Sequence, residues 1–233
     1  MGRAAKREAV RGCAERVAPR PPADLLDLRF RRLMGEAAWA ALPDDTRRRF
    51  GRRLHPGEAV DYRGVTEATR TNAPGRLLTQ LSRLIGAPLP LPGIADGGAA
   101  VVTVTEAAEG HGQFWTRQYA RADGFPQVVH SAKGFGGRTG LEEVVGGGLG
   151  MALTLRAADG VLLFESDGFF VRAGGRRLPL PRALTPRLTV GHEDLGGGAF
   201  AFAMDLTHPL FGTLMTQRCR FTETARAREG DAR

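Results

Sequence analysis

The sequence predicts an α+β fold that is predominantly antiparallel β, with N-terminal helices packed on a curved meander of about eight strands. Three observations carry this prediction. The hydrophobic period changes from helical to alternating near Ala99, Gly-rich turns separate the alternating segments, and a meander of this length tends to curl so that its edges pair. We therefore expect the sheet to form a barrel or a half-barrel.

The segment before Ala99 predicts three helices and one strand. The first helix begins at the capping residue Asp24 and ends at Gly35, and the second is a short surface helix over Thr46–Leu54. A strand around Val60–Gly64 precedes the third helix, at Gly75–Ile85, whose leucines form one apolar stripe. Such a stripe is normally buried, so we expect this helix to pack on the sheet.

A connector rich in Pro and Gly at 87–98 leads into the β segment. Short Gly-containing turns can join only antiparallel neighbours, so the strands should follow one another up and down. The predicted strands lie at Val102–Val104, Trp115–Tyr119, Gln127–Ala132, Leu149–Arg156, Val161–Val171, Leu188–His192, Ala199–Leu206 and Leu214–Phe221.

Side-chain size alternates along these strands as well as polarity. In Leu149–Leu155 the odd positions are bulky and the even ones are Gly, Ala and Thr, and Ala199–Leu206 has a similar alternation. Small residues on one face indicate either a covering helix or a strongly curved sheet with a restricted concave side. Gly146–Gly148 could supply the bend or bulge that such curvature needs. We expect the curved sheet to enclose a pocket.

The chain of 233 residues is expected to form one domain at 23–224, helical over 23–86 and a meander over 99–224, between disordered tails at 1–22 and 225–233. No apolar stretch approaches the roughly 20 residues of a membrane span. Residues 1–20 lack the apolar core of a signal peptide, so a cytoplasmic location is expected. We interpret Cys13 and Cys219 as reduced thiols, and expect neither a metal site nor a cofactor.

The net charge of +8 suggests nucleic-acid binding, but its distribution does not. Residues 1–98 contain 18 Lys and Arg against 11 Asp and Glu, which leaves the β segment nearly neutral. Only Lys6 and Lys133 are lysine, a sign of coding bias toward Arg. Aromatic and basic residues interleave only near Trp115 and Arg117, where a half-buried strand explains them equally well. We expect no nucleic-acid partner.

The candidate catalytic residues are His130, His192, Glu193 and Asp194. An imidazole beside two carboxylates could act as an acid–base pair. However, adjacent residues on a strand point to opposite faces, and a Gly-rich turn after a strand is polar in any case. A single histidine on an apolar strand is most often structural. No known catalytic motif is present, and the catalytic residues stay unassigned.

A second set of residues could contact a ligand inside a barrel. One of Glu142 and Glu143 could project into the barrel mouth and meet Arg117, although paired acids more often lie in a solvated loop. His130 could point toward the same cavity or toward the core. The candidate ligand-binding residues are Trp115, Arg117, Tyr119, His130, Lys133 and Glu143.

Several motifs resemble those of a bacterial family that is known as a conserved domain of unknown function. They are Trp115–Tyr119, Phe125–Ser131, Gly191–Gly198, His208–Gly212 and Phe30–Gly35, together with the helix at Leu77–Pro88. The resemblance covers Leu28–Phe221. Members of this family occur alone or fused to saccharopine-dehydrogenase-like or short-chain reductase domains, which implies a reductase as a partner.

Three hypotheses follow from the sequence. The first is a domain that binds a hydrophobic or amphipathic small molecule in a barrel pocket. The second is an enzyme that uses the His and carboxylate candidates, with Arg117 orienting an anionic substrate. The third is an accessory module that docks on a reductase. Convergence of the candidate side chains in one cleft would distinguish the second hypothesis from the others.

Overall fold

The computed structural model describes residues 25–55, 58–107, 111–174 and 176–223. The helices are α1 (Arg29–Met34), α2 (Glu36–Ala40), α3 (Asp44–Phe50) and α4 (Ala73–Leu81), with 3-10 turns at Ser82–Ile85 and Arg182–Leu184. The strands are β1 (Leu25–Leu26), β2 (Arg52–Arg53), β3 (Ala59–Thr71), β4 (Ala99–Glu106), β5 (Gly112–Tyr119), β6 (Gln127–Gly134), β7 (Glu142–Gly146), β8 (Leu149–Ala158), β9 (Val161–Ala173), β10 (Arg176–Pro179), β11 (Arg187–Gly196), β12 (Ala199–His208) and β13 (Gly212–Glu223).

Ten strands close into an antiparallel barrel, which confirms the predicted fold class. Strands β3 to β9 pair in chain order, β9 pairs with β11, and β11 to β13 continue until β13 pairs with β3. The short strand β10 adds to β9 outside this ring. The predicted meander had about eight strands because β7 was expected to be a loop and β3 was not expected to join the sheet.

The turns between strands use glycine where the backbone requires it. Gly147 and Gly148 have φ of 55° and 76° and join β7 to β8 in the shortest possible connection. A Cβ on Gly147 would lie 2.7 Å from Cγ2 of Ile85, so the turn also needs glycine for space. Gly146–Gly148 therefore forms a tight turn, and the bulge lies just before it at Val144/Gly146.

The first helix begins later than the sequence predicted. The chain is extended at Leu25–Leu26, which pairs with Arg52–Arg53, and α1 starts at Arg29. Asp27 supplies the carboxylate near the helix start, since its Oδ1 accepts a hydrogen bond of 2.9 Å from the backbone N–H of Arg29. The predicted capping residue Asp24 lies outside the described residues, as do Cys13 and both predicted tails.

One end of the barrel is plugged by the N-terminal helices. Phe30 of α1 and Phe50 of α3 are 1% and 5% exposed, and their rings lie 5.2 Å apart at their centroids. Phe50 reaches Trp115 and Phe164, which project from the barrel wall. Helix α3 is short and lies at the surface as predicted, but it ends at Phe50 rather than Leu54, and its buried face inserts Phe50 into the barrel end. The space left there is only about 30 Å³.

The opposite end of the barrel is crossed by α4 and the 3-10 turn after it. Asn72 caps α4, since its Oδ1 accepts a 2.7 Å hydrogen bond from the N–H of Gly75. Leu78 packs against the buried cluster of Leu206 and Met215, but Leu77 and Leu81 are more than half exposed. The expectation that the whole apolar stripe would be buried was therefore wrong.

In the described part of the chain, no helix combines the length and apolar character needed to cross a membrane.

The bulky phase of the strands faces the barrel interior. Met151 and Leu153 of β8 point inward, whereas Gly150 faces outward beneath the ring of Phe170. A Cβ on Gly150 would lie 2.6 Å from Cζ of Phe170, so any larger residue there would displace the Phe170 ring. The small residues therefore do not line a concave side, which contradicts one of the two expectations for them. The interior is made by large side chains that leave space between them.

Candidate ligand-binding cavity

The barrel interior contains a cavity of about 450 Å³ between the plugged end and α4. This volume lies within the roughly 300–1,000 Å³ that is typical of small-molecule sites. Its walls are mainly aliphatic and aromatic, and include Val102, Val129, Met151, Phe202 and Phe221. The cavity is therefore an apolar space that α4 and the barrel rim border at one end.

The rim of the cavity is apolar as well. Leu81 and Leu84 line the cavity and are 55% and 85% exposed, so the apolar surface continues from the interior to the outside. Leu184, in the 3-10 turn between β10 and β11, lines the cavity and is 77% exposed. The apolar surface of the cavity is therefore continuous with exposed leucines at this end of the barrel.

Gln127 of β6 holds the connector against the rim. Its Oε1 accepts a 2.7 Å hydrogen bond from the N–H of Leu91, and its Nε2 donates to the carbonyl oxygens of Leu89 at 2.9 Å and Ala87 at 3.3 Å. Pro88 and Leu89 consequently form a fixed part of the cavity wall. The buried Gln127 side chain thus supplies hydrogen-bond partners to three backbone groups of a segment that pairs with no strand.

Three charged side chains project into the cavity from neighbouring strands. Lys133 of β6 donates through Nζ to Oε2 of Glu143 on β7 at 2.6 Å. Arg117 of β5 lies 3.5 Å from Oε1 of the same carboxylate and donates to Oγ of Ser131 at 3.2 Å. Lys133 and Glu143 are 5% and 7% exposed. The cavity therefore has one polar region in an otherwise apolar wall.

The ionisation of this cluster follows from its geometry. Burial alone would raise the pKa of Glu143, but the charges of Lys133 and Arg117 outweigh it and lower that pKa to about 2. Burial lowers the pKa of Lys133, and repulsion from Arg117 adds to this effect, while Glu143 opposes it. An ammonium 2.6 Å from an ionised carboxylate forms an ion pair, so the cluster contains two cations and one anion at neutral pH.

Five of the six predicted ligand-binding residues line this cavity: Trp115, Arg117, Tyr119, Lys133 and Glu143. The Trp115 ring lies 5.1 Å from Nζ of Lys133, and its Nε1 donates to Gln113 at 3.2 Å. Burial raises the pKa of Tyr119.

His130 does not line the cavity. It is exposed on the outer face of β6, in phase with Val128, which is 45% exposed. The expectation that His130 would point toward the cavity was therefore wrong, because Val129, Ser131 and Lys133 occupy the inner phase of this strand. Sequence reasoning missed Ser131, although its position two residues before Lys133 indicates the same face.

Glu142 and Glu143 are also not a loop pair. Both lie in β7 and are buried, and they point to opposite faces. Glu142 accepts hydrogen bonds on the outer face from Arg172 and Arg177, whereas Glu143 meets Arg117 inside. The expected solvated loop is replaced by a strand whose two acids each have their own cations.

His192 lies in the aromatic core of the plugged end. It is fully buried, and its ring centroid lies 5.0 Å from that of Phe50 and 4.8 Å from that of Phe200. Its Nε2 accepts from Nη1 of Arg49 at 3.1 Å, since a guanidinium only donates. Burial, followed by the charge of Arg49, lowers the pKa of His192 to about 3. This histidine is a neutral core residue.

The candidate catalytic residues do not converge. His192 is in the core, and Asp194 is half-buried two residues further along the strand. Glu193 lies on the opposite face, 2.8 Å from Arg218, and His130 is on the outside of a different strand. The described residues contain no group of three His, Cys, Asp or Glu placed to hold a metal ion. Cys219 is free and buried, and burial raises its pKa to about 11.

The fold and the cavity define the class of protein as an antiparallel β-barrel domain with an interior cavity that is plugged at one end. Residues 42–221 match the family described as "Domain of unknown function (DUF4166)", and the chain belongs to this family. No curated protein and no solved structure matches the chain. The reductase partner that the resemblance implies stays a prediction.

Proposed function

We propose that the barrel binds a hydrophobic or amphipathic small molecule in its cavity. The observation that carries this proposal is an apolar interior space of about 450 Å³. Protein interiors are normally packed as densely as organic crystals, with few voids larger than a water molecule. A space of this size in a core is costly when empty, because its lining side chains lose their dispersion contacts.

The contrast between the two barrel ends supports the proposal. At the plugged end, Phe30 and Phe50 fill the interior and leave only about 30 Å³. Toward α4 the same ten strands surround a cavity of about 450 Å³, and exposed leucines border the opening. A domain that served only as a rigid spacer would have no need for this difference.

Filling the cavity with a side chain should abolish binding. Val129 lines the cavity, whereas its neighbour Val128 lies on the outer face of the same strand. The Val129→Trp variant should lose binding of hydrophobic probes, because the indole occupies the space. Val128→Trp adds the same side chain outside the barrel and serves as the matched control.

Binding can be measured by thermal shift and native mass spectrometry with a panel of apolar compounds. We expect wild type and Val128→Trp to gain stability from the same compounds, and Val129→Trp to gain none while remaining folded by circular dichroism. The proposal fails if no compound binds wild type, or if Val129→Trp binds as well as Val128→Trp does.

The enzyme hypothesis receives no support from the geometry. His130 lies on the outer surface, His192 in the core and Glu193 on a second outer surface, while Asp194 is half-buried two residues after His192, so within the described residues these four candidates do not form an acid–base pair in one cleft.

A further inference from the structure

The charge balance of the cavity indicates what kind of head group an occupant would carry. Of the described residues that line the cavity, three are ionised at neutral pH: Arg117, Lys133 and Glu143. Two cations and one anion leave an excess of one positive charge. An unbalanced charge beside apolar walls is costly, and an occupant with one negative charge would neutralise it.

Arg117 has donors available for such a group. A guanidinium has five N–H donors in a fixed fork, which matches the two oxygens of a carboxylate. Among the described residues, Arg117 makes two polar side-chain contacts, one of 3.2 Å to Ser131 and one of 3.5 Å to Glu143. Its side chain is 23% exposed, whereas those of Lys133 and Glu143 are 6% and 9% exposed. Arg117 is therefore the accessible cation of the cluster.

The rarity of lysine in this chain supports a specific role for Lys133 in its ion pair with Glu143. The chain contains Lys6 and Lys133 as its only lysines, and every other basic side chain apart from the histidines is Arg. Lys133 contacts Glu143 at 2.6 Å and lies within 5.5 Å of the Trp115 and Phe164 ring centroids, a space that suits a compact ammonium. Lys133 thus holds one oxygen of the Glu143 carboxylate, and Arg117 is left as the cation in excess.

The strand register places the Lys133–Glu143 pair far from the opening, whereas Arg117 pairs with Val129, nearer the middle of the barrel wall. Lys133 is the last residue but one of β6, and Glu143 is the second residue of β7, so both lie near the plugged end. The exposed leucines of α4 are at the opposite end. A molecule in the cavity would meet charge at its inner end and hydrocarbon along the rest of its length.

We propose that the ligand is a monoanionic amphiphile, such as an aliphatic carboxylate, whose head group binds Arg117 and whose tail extends toward Leu81 and Leu84. This inference rests on the proposed function, since it assigns the ligand class of the same cavity. It does not depend on any enzymatic activity.

The test compares three probes with the same chain and different heads: dodecanoate, dodecanol and dodecyltrimethylammonium. Trp115 lines the cavity, so its fluorescence reports binding, and isothermal titration calorimetry gives the affinity independently. We expect dodecanoate to bind at least about tenfold more tightly than dodecanol, which corresponds to one charge-assisted hydrogen-bond pair. The cationic probe should bind most weakly.

Two variants assign the preference to the cluster. Arg117→Gln should weaken dodecanoate binding about tenfold and change dodecanol binding by less than about twofold. Glu143→Gln should tighten dodecanoate binding several-fold, because it frees both cations. Arg156→Gln removes an exposed arginine that pairs with Glu165 on the outer face and is the control for loss of charge. All variants are compared as folded proteins, verified by thermal melting.

The outcomes separate the two proposals. If neither dodecanoate nor dodecanol binds, the cavity is not a ligand site and both proposals fail. If dodecanol binds as tightly as dodecanoate to wild type, or if Arg117→Gln weakens both equally, the cavity is a ligand site but the anionic head group is wrong. A preference for dodecanoate that Arg156→Gln retains and Arg117→Gln loses supports the inference.

Discussion

Replacing His192 with Gln should make the barrel less sensitive to acid. His192 is fully buried between aromatic rings and accepts a hydrogen bond from Arg49. Burial disfavours the protonated imidazole, and protonation would also place a second cation beside Arg49, so the pKa falls to about 3. Gln can still accept from Arg49 but does not titrate.

The magnitude follows from the difference between the folded and unfolded pKa. Because the folded pKa of about 3 lies below the ordinary value of 6.5, the unfolded chain binds the proton first. The stability that neutral His192 contributes is complete above pH 6.5 and is lost as the pH falls toward 3. The loss approaches about 1.4 kcal/mol per pH unit, or about 3 kcal/mol between about pH 7.5 and about pH 4.5.

The assay is urea unfolding of wild type and His192→Gln at several pH values in this range. The free energy of unfolding of wild type should fall by about 3 kcal/mol more than that of the variant. Carboxylates titrate in both proteins and cancel in this comparison. His130→Gln, on the exposed outer face of β6, should retain the slope of wild type. Parallel pH profiles for wild type and His192→Gln would refute the reasoning.

Two further substitutions test the fold around the cavity. Asn72→Ala removes the cap of α4 and should lower the free energy of unfolding by about 1 kcal/mol, measured by urea unfolding, with faster amide exchange in α4. Asn72→Asp keeps the acceptor oxygen and should retain slow amide exchange in α4. If α4 of this variant exchanges as fast as in Asn72→Ala, the cap does not have the proposed role. Gly150→Ala should cost about 1–3 kcal/mol, because the new methyl group would lie 2.6 Å from Phe170. Phe170→Leu should reduce this cost in a double-mutant cycle, and strictly additive effects would argue against the contact.

The strands were predictable because alternation is a local property. Most segments from β4 to β13 have a run of apolar and polar residues that indicates a strand without knowledge of its neighbours. Strand β7 was missed because Glu142 and Glu143 resemble a loop when read alone. Their cations come from β5, β6, β9 and β10, and no local pattern contains that information.

The candidate site was predictable only in part for a similar reason. In Val128–Lys133 both phases of the strand begin with valine, so alternation alone could not say which phase faces the interior. The prediction for His130 was wrong because it faces outward, whereas the prediction that Lys133 lies at the cavity was correct. The exposure of the α4 leucines depends on where the barrel ends, and this is set by ten strand pairings rather than by the helix sequence.

The pairing of β3 with β13 has a consequence for biosynthesis. Residues such as Arg70 and Thr216 that meet at this seam are separated by most of the chain, so a ribosome must complete β13 before β3 acquires its second neighbour. Until then both edges of the nascent sheet stay open, and intermolecular pairing competes with closure. Contacts this distant in sequence favour slow folding, and the interior cavity is enclosed only as the last step.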